Sequence, residues 1–129
     1  MQLGELKFSV LLFGLLQTLR VMARRHPAYA KRLAERNLTA QIRTADNRVA
    51  RHFTFRDGRV TSGRGIHPSA DITVTVQNAD LGVKLFSLHV DHLERIEAIK
   101  NFQLQAEGAD ELMVWFMQTL GMIFTLGWE

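Results

Sequence analysis

The chain contains no cysteine among its 129 residues, which excludes disulfides, thiolate nucleophiles and cysteine metal ligands. It also has little net charge, because 16 Lys and Arg against 13 Asp and Glu give a formal charge of +3. A charge this small does not by itself indicate nucleic-acid binding. Two prolines and a hydrophobic fraction of 47% are typical of one folded domain with a sizeable core.

Several catalytic motifs are absent as well. No serine stands in a Gly-x-Ser-x-Gly elbow. The segment Gly63-Arg64-Gly65 lacks the Gly-Lys-Ser/Thr ending of a phosphate loop and is interpreted as a turn. Asp71 and Asp80 would act as a base only if they were buried in a cleft, so strand-end and helix-capping roles are favoured. The sequence therefore predicts a chain that is not an enzyme.

One histidine-rich segment is a candidate metal site. His89 and His92 lie three residues apart with Asp91 between them, and His67 is a further candidate ligand. No His-Glu-x-x-His pattern is present. Capping or solvent-exposed roles are the favoured interpretation, and we predict neither a metal nor a cofactor.

The N-terminal region contains a strongly apolar run from Phe8 to Leu19. This run is shorter than the roughly 20 residues that a spanning helix needs, although its length is typical of a signal peptide. No Ala-x-Ala-like cleavage site follows it, and Arg20 comes directly after it. We expect a mature cytoplasmic protein with an apolar first helix, part of which is buried all round.

Hydrophobic periodicity predicts an α+β protein. Strands are indicated by period-2 alternation, as in Ile72, Val74 and Val76. Asp57-Gly58 predicts a tight hairpin turn, since both positions of such a turn need positive φ. The predicted helices span residues 3–25, 28–37, 78 or 80 to 86, a segment from 91, and 110–125. The predicted strands span residues 38–43, 49–55, a segment from 60, 71–77 and 102–106.

The order of these elements resembles the sterol carrier protein type 2 family. The matching segments are HFTFRDGRV, ADITVTVQNADLGVKLF and IEAIKNFQLQAEGADELMVWFMQTL. Lys100 to Gly108 follows the family's Gly-Lys-aliphatic-x-aliphatic-x-Gly strand, except that Ile99 replaces the first glycine. The resemblance covers roughly residues 38 to 125. It implies a mixed, mostly antiparallel five-stranded sheet packed against helices, with residues 1–37 as an additional helical segment before a domain of residues 38–129.

The resemblance also implies an apolar cavity between sheet and helices that holds a fatty acyl, sterol or isoprenoid/quinone lipid. The final helix supports this interpretation, because apolar residues surround its axis and its methionines adapt to varied shapes. A packed core with a dimer interface explains the same pattern. The candidate ligand-binding residues are Phe53, Phe55, Val76, Leu81, Leu85, Phe86, Phe102, Leu104, Leu112, Trp115, Phe116 and Leu120. His52 and Gln103 are candidates for contact with the polar end of a ligand.

A basic cluster accompanies the apolar first helix, and only Glu35 opposes it. Its members are Arg20, Arg24, Arg25, Lys31, Arg32 and Arg36. Each basic residue near an anionic bilayer contributes about 1 kcal/mol, so the cluster is a candidate for peripheral membrane docking. A solvated helical face is the alternative. Nucleic acid is disfavoured as a partner because no aromatic residues are interleaved for base stacking.

Two functions of different class follow from these patterns. The first is non-catalytic binding and presentation or transfer of a hydrophobic lipid at a membrane surface. The alternative is an accessory or scaffold subunit whose apolar helices dock a partner enzyme or a second copy of the chain. A small enzyme acting on a hydrophobic substrate would need two converging titratable groups, and the sequence indicates none.

Overall fold

The computed structural model describes residues 2–86, 97, 100, 101 and 103–126, and within these it contains four helices and a five-stranded sheet. The helices are α1 (Leu3–Arg25), α2 (Pro27–Leu33), α3 (Ala79–Phe86) and α4 (Asp110–Leu126). The strands are β1 (Leu38–Thr44), β2 (Ala50–Arg56), β3 (Arg59–Arg64), β4 (Ile72–Val76) and β5 (Leu104–Gly108). The predicted α+β class is confirmed.

The sheet has the strand order β3-β2-β1-β4-β5. Strands β1 and β4 are parallel, and the other three neighbouring pairs are antiparallel. The register places Ala40 opposite Phe53 and Ile72, so their side chains share one face. That face is buried beneath the helices, whereas Thr54 and Thr73 on the other face are only half-buried. The mixed, mostly antiparallel sheet predicted above is confirmed.

Local signals in the sequence set the turns. Asp57 and Gly58 have φ of 54° and 80°, the left-handed pair that the Asp-Gly turn requires. Asn78 caps α3, since its Oδ1 accepts the Leu81 N–H at 2.8 Å.

Helix α2 ends earlier than predicted. Asn37 lies beyond the helix, where its Oδ1 accepts the N–H of Asp57 at 2.9 Å and so supports the β2–β3 turn.

The last strand lies two residues later than predicted, at Leu104–Gly108 instead of 102–106. Its register with β4 pairs Ile72 with Gly108 and Val76 with Leu104. Gly108 has a φ of 142°, and a Cβ there would lie 2.5 Å from the carbonyl oxygen of Asp71. The close approach of two backbones therefore requires glycine at this position.

Helix α1 buries one face, whereas part of it was expected to be buried all round. Phe8, Leu12, Leu16 and Leu19 are spaced three or four residues apart and are buried, while the opposite face remains exposed. Among the described helices, α1 is the one long and apolar enough to cross a membrane by length and composition. Core helices and signal sequences share those properties.

The N-terminal helices belong to the same core as the sheet. The Phe8 ring packs over Gly82 of α3, where a Cβ would come within 2.6 Å of it, and lies 6.0 Å from the Phe86 ring. Tyr29 of α2 is fully buried, and its hydroxyl donates to the backbone oxygen of Thr119 on α4 at 2.8 Å. Helices α1 and α2 therefore share one hydrophobic layer with the sheet, α3 and α4.

Candidate lipid-binding site

The side chains predicted to line a cavity gather on the helix-covered side of the sheet. Leu81, Phe86 and Leu112 are half-buried, and Phe102 lies outside the described residues. The remaining candidates are buried: Phe53, Phe55, Val76, Leu85, Leu104, Trp115, Phe116 and Leu120. These side chains therefore share one apolar layer, which also includes residues of α1 and α2.

An aromatic cluster forms where β2 meets α4. The Phe55 ring lies 5.5 Å from the Trp115 ring and 6.0 Å from the Phe116 ring, with interplanar angles of 86° and 73°. Edge-to-face contacts of this kind each stabilise by about 0.5–1.5 kcal/mol beyond area burial. All three side chains are at most 5% exposed. The cluster is thus a well-packed apolar region directly beneath α4.

An open cleft of about 630 Å³ lies between α2 and α4, beside this cluster. Trp115 lines the cleft and also contacts Phe55, so its indole separates the cleft from the apolar layer. The other lining residues are mostly polar: Arg32, Glu35, Arg36, Asp110, Glu111, Val114 and Gln118. The cleft is therefore lined mostly by polar side chains, with the Trp115 indole at its floor.

Arg32 connects the two helices that form the cleft. Its Nε donates to Thr119 Oγ1 at 3.1 Å, and its Nη2 donates to the Trp115 oxygen at 3.2 Å and to Gln118 Oε1 at 3.1 Å. Its guanidinium also lies 5.4 Å from the Trp115 ring and pairs with Glu35 at 3.4 Å. The indole Nε1 of Trp115 donates to the same carboxylate at 3.4 Å. A cation, an indole and a carboxylate thus close the floor of the cleft.

The predicted membrane-docking residues occupy several different surroundings. Arg20 is half-buried and donates to the carbonyl of Val60 at 3.1 Å, and Arg32 is directed toward α4. Arg36 is half-buried along the cleft. The remaining members of the cluster are exposed: Arg24, Arg25 and Lys31. The basic cluster is therefore divided among a contact with β3, the cleft and the solvent.

The polar candidates for a ligand contact lie away from the aromatic cluster. His52 is on the opposite face of the sheet from Phe53, where its ring is 5.0 Å from that of His67 and its Nδ1 is 3.3 Å from the Gly65 oxygen. Gln103 donates to Gln77 at 3.3 Å. A ligand held against the inner face of the sheet would therefore not reach His52.

The acidic residues considered as bases have structural contacts. Asp71 Oδ2 accepts the backbone N–H of Thr39 at 2.8 Å, and the side chain of Asp80 lies against Gly4. In the described part of the chain, no three His, Asp or Glu side chains are grouped as metal ligands. His89, Asp91 and His92 lie outside the described residues.

Sequence reasoning did not include the N-terminal contribution to this site. Phe8, Leu12, Tyr29 and Leu33 are all buried in the layer that contains the predicted ligand residues. The sequence does contain a signal for the buried face of α1, because Phe8, Leu12 and Leu16 repeat at four-residue spacing. What the spacing does not reveal is the partner of that face, which is α3 together with β2 and β3.

Comparisons with known proteins give structural likenesses. No protein-family model and no curated protein sequence matches the chain. The UbiJ-SCP2 ubiquinone synthesis protein superposes with a TM-score of 0.60 at 18% identity, over 84% of this chain and 91% of that one. A candidate sterol carrier protein from Thermus thermophilus gives 0.52 at 13% identity, over 87% and 82%.

A larger enzyme also contains a similar region. The inverting sec-alkylsulfatase Pisa1 from Pseudomonas sp. superposes with a TM-score of 0.52 at 20% identity over 71% of this chain. The matched region is 14% of the sulfatase, so the chain spans a small part of that enzyme's length. At these identities the likenesses establish the fold.

Proposed function

We propose, from the sterol carrier protein type 2 fold of this chain, that it binds a hydrophobic lipid and presents or transfers it without catalysing a reaction. The lipid is of the fatty acyl, sterol or isoprenoid/quinone class. The likeness to a ubiquinone synthesis protein over most of both chains makes an isoprenoid quinone precursor the first ligand to test. Binding is driven by removal of apolar lipid surface from water, about 25 cal/mol per Å².

The observation that carries this proposal is the position of Trp115. The indole lines an open, polar-rimmed cleft on one side and packs against Phe55 on the other. A rotation of this side chain would connect the cleft to the apolar layer of the sheet. The lipid tail would then contact Phe55 and Phe116, and its polar end would remain near Arg32 and Glu35.

The test compares two neighbouring substitutions on α4. Trp115→Ala removes the indole surface against which the lipid would pack, whereas Met117→Ala changes a residue of α4 that is 42% exposed and does not line the cleft. Native mass spectrometry and lipid extraction identify bound lipid in the purified protein, uptake of a fluorescent isoprenoid or fatty acid gives the affinity, and urea unfolding gives the stability. We expect Trp115→Ala to weaken uptake at least tenfold under conditions where urea unfolding shows the variant to be folded, and Met117→Ala to leave uptake unchanged. If the folded Trp115→Ala protein takes up lipid normally, Trp115 is a core residue only.

We place this function in the cytoplasm, at the surface of a membrane with which the protein makes peripheral contact. The exposed cations Arg24, Arg25 and Lys31 support electrostatic attraction to anionic lipids. A carrier that docks in this way would load or release its lipid without spanning the bilayer.

The accessory-subunit function is supported by a separate observation. Val114 and Met117, one helical turn apart on α4, are 53% and 42% exposed. Exposed apolar side chains at that spacing are suited to a partner enzyme or a second copy. A lipid-free protein that forms a stable dimer in light-scattering measurements would favour this function over lipid transfer.

A further inference from the structure

The outward face of α1 is apolar over its first half. Leu3, Leu6, Val10 and Phe13 are 67%, 52%, 61% and 48% exposed. Their spacing of three and four residues aligns them along one side of the helix, and we call these four residues the outer stripe. The helix thus has a second apolar surface that the sheet does not cover.

A pair of arginines lies beside the outer stripe. Arg51 of β2 and Arg64 of β3 are directly opposite each other in the antiparallel register. The guanidinium of Arg51 lies 5.4 Å from the centroid of the Phe13 ring, so the pair is on the α1 side of the sheet. Like charges directly opposite each other destabilise a strand pair. Burial, and secondarily the charge of Arg64, lowers the pKa of Arg51.

This positive charge is not neutralised within the described part of the chain, where no ion pair involves Arg51 or Arg64. The acidic residue of α1, Glu5, is buried, accepts the N–H of Gln2 at 2.9 Å and lies 3.8 Å from Arg48. Arg51 donates to the Ser62 hydroxyl at 2.7 Å, a neutral acceptor. The outer stripe is therefore bordered by two arginines for which the described residues supply no anionic partner.

We propose that this surface docks on an anionic lipid bilayer, with the outer stripe in the boundary between headgroups and acyl chains and with Arg51 and Arg64 binding a lipid phosphate. Guanidinium groups bind phosphate through paired N–H donors. An amphipathic helix in this position buries its apolar face about 5–10 Å into the boundary. The inference rests on the proposed function, because docking gives a lipid carrier access to its membrane.

Charge favours a bilayer over a second copy of the chain as the occupant. Leu3, Val10, Gln17 and Arg24 follow one another at seven-residue spacing on the exposed side, so the apolar half of this face leads to a further exposed cation, Arg24. Two copies packed through this face would bring Arg51 and Arg64 of both chains together. An anionic bilayer instead accepts the apolar residues and neutralises the arginines.

The experiment measures binding of the full chain to vesicles by co-sedimentation. One set of vesicles is phosphatidylcholine, and the other contains about one third phosphatidylglycerol to supply the anionic phosphate. Arg51→Gln with Arg64→Gln removes the proposed phosphate contacts. Arg56→Gln with Arg59→Gln is the matched control, because these residues form a cross-strand pair in the same two strands but on the opposite face of the sheet.

We expect the Arg51/Arg64 variant to bind anionic vesicles about 25-fold more weakly, since each arginine near the bilayer contributes roughly fivefold. The Arg56/Arg59 variant should bind within about twofold of the unaltered protein. Leu6→Gln with Val10→Gln should weaken binding by on the order of tenfold or more, because both side chains would leave the apolar boundary. Circular dichroism verifies that each variant is folded.

Equal binding by the two arginine variants would overturn the proposal, and so would undiminished binding by the Leu6/Val10 variant. A dimer that Leu6→Gln converts to a monomer would instead assign the outer stripe to a second copy. Uptake of fluorescent lipid in the absence of vesicles separates the two proposals. Vesicle binding with the expected pattern but no uptake would refute the carrier function while leaving the docking surface established.

Discussion

Replacing Phe8 with alanine tests whether α1 is held in the core of the protein. Phe8 is fully buried and packs over Gly82 and against Phe86. A buried phenylalanine covers on the order of 150–200 Å², which at about 25 cal/mol per Å² corresponds to about 4–5 kcal/mol. Measured Phe→Ala costs in protein cores, about 3–5 kcal/mol, agree with this figure.

Phe13→Ala is the matched control, because it makes the same chemical change five residues later on the same helix. Phe13 is 48% exposed, and the centroid of its ring lies 5.4 Å from the guanidinium carbon of Arg51. Exposed cation–π contacts contribute about 0.5–1 kcal/mol. We therefore expect Phe13→Ala to lower the free energy of unfolding by about 1 kcal/mol or less.

Urea unfolding followed by far-ultraviolet circular dichroism measures both variants. The expected difference between them is about 3 kcal/mol, a large part of the 5–15 kcal/mol that stabilises a typical domain. In a chain of 129 residues this corresponds to a difference in melting temperature of about 10–15 °C. Equal stability of the two variants would show that α1 does not pack on α3 in solution, and the reasoning about the core would fail.

Two further predictions concern the substitution of two glycines and the stability of the protein at acid pH. Gly108→Ala should lower the free energy of unfolding by about 2–4 kcal/mol, because the new Cβ would meet the Asp71 carbonyl at a φ of 142°. Gly14→Ala, with no atom within 4 Å of its Cβ, should instead stabilise the helix by about 0.5–1 kcal/mol, and thermal melts of both variants check the contrast. Hydrogen bonds from the Thr44 hydroxyl and, secondarily, from the Arg48 N–H lower the pKa of Asp46 below its ordinary 3.8. The ionised carboxylate therefore stabilises the folded protein above pH 3.8, and this stabilisation is lost as the pH falls through the lower pKa that Asp46 has in the folded state. Asp46→Asn should therefore reduce stability at neutral pH and flatten the dependence of stability on pH at and below pH 3.8, and identical acid titrations of the two proteins would contradict this.

Local features of the fold could be predicted because their causes are local. Alternation in Ile72, Val74 and Val76 identified a strand with one buried face, and the structure buries all three side chains. The Asp57-Gly58 pair identified its turn because few other residues accept positive φ at both positions. The five-stranded mixed sheet was predicted through the resemblance of these elements and their order to the sterol carrier protein type 2 family.

The sequence predicted which residues belong to the candidate site better than it predicted how those residues are arranged. Phe55, Trp115 and Phe116 were chosen for being apolar, and the structure brings them together in one cluster. Arg32 was grouped with the other cations by its position in the sequence. Its contacts with Thr119 and Trp115 join residues more than 80 positions apart, which no local pattern specifies.

The sequence by itself determined which residues form strands and helices and which side of each is apolar, because these depend on spacing of a few residues. Only the tertiary structure decided what each apolar face contacts. The four-residue repeat that includes Phe8 is buried against α3, whereas the outer stripe on the same helix is left exposed. The physical reason is that burial depends on the surface opposite a side chain, and chain segments far apart in sequence supply that surface.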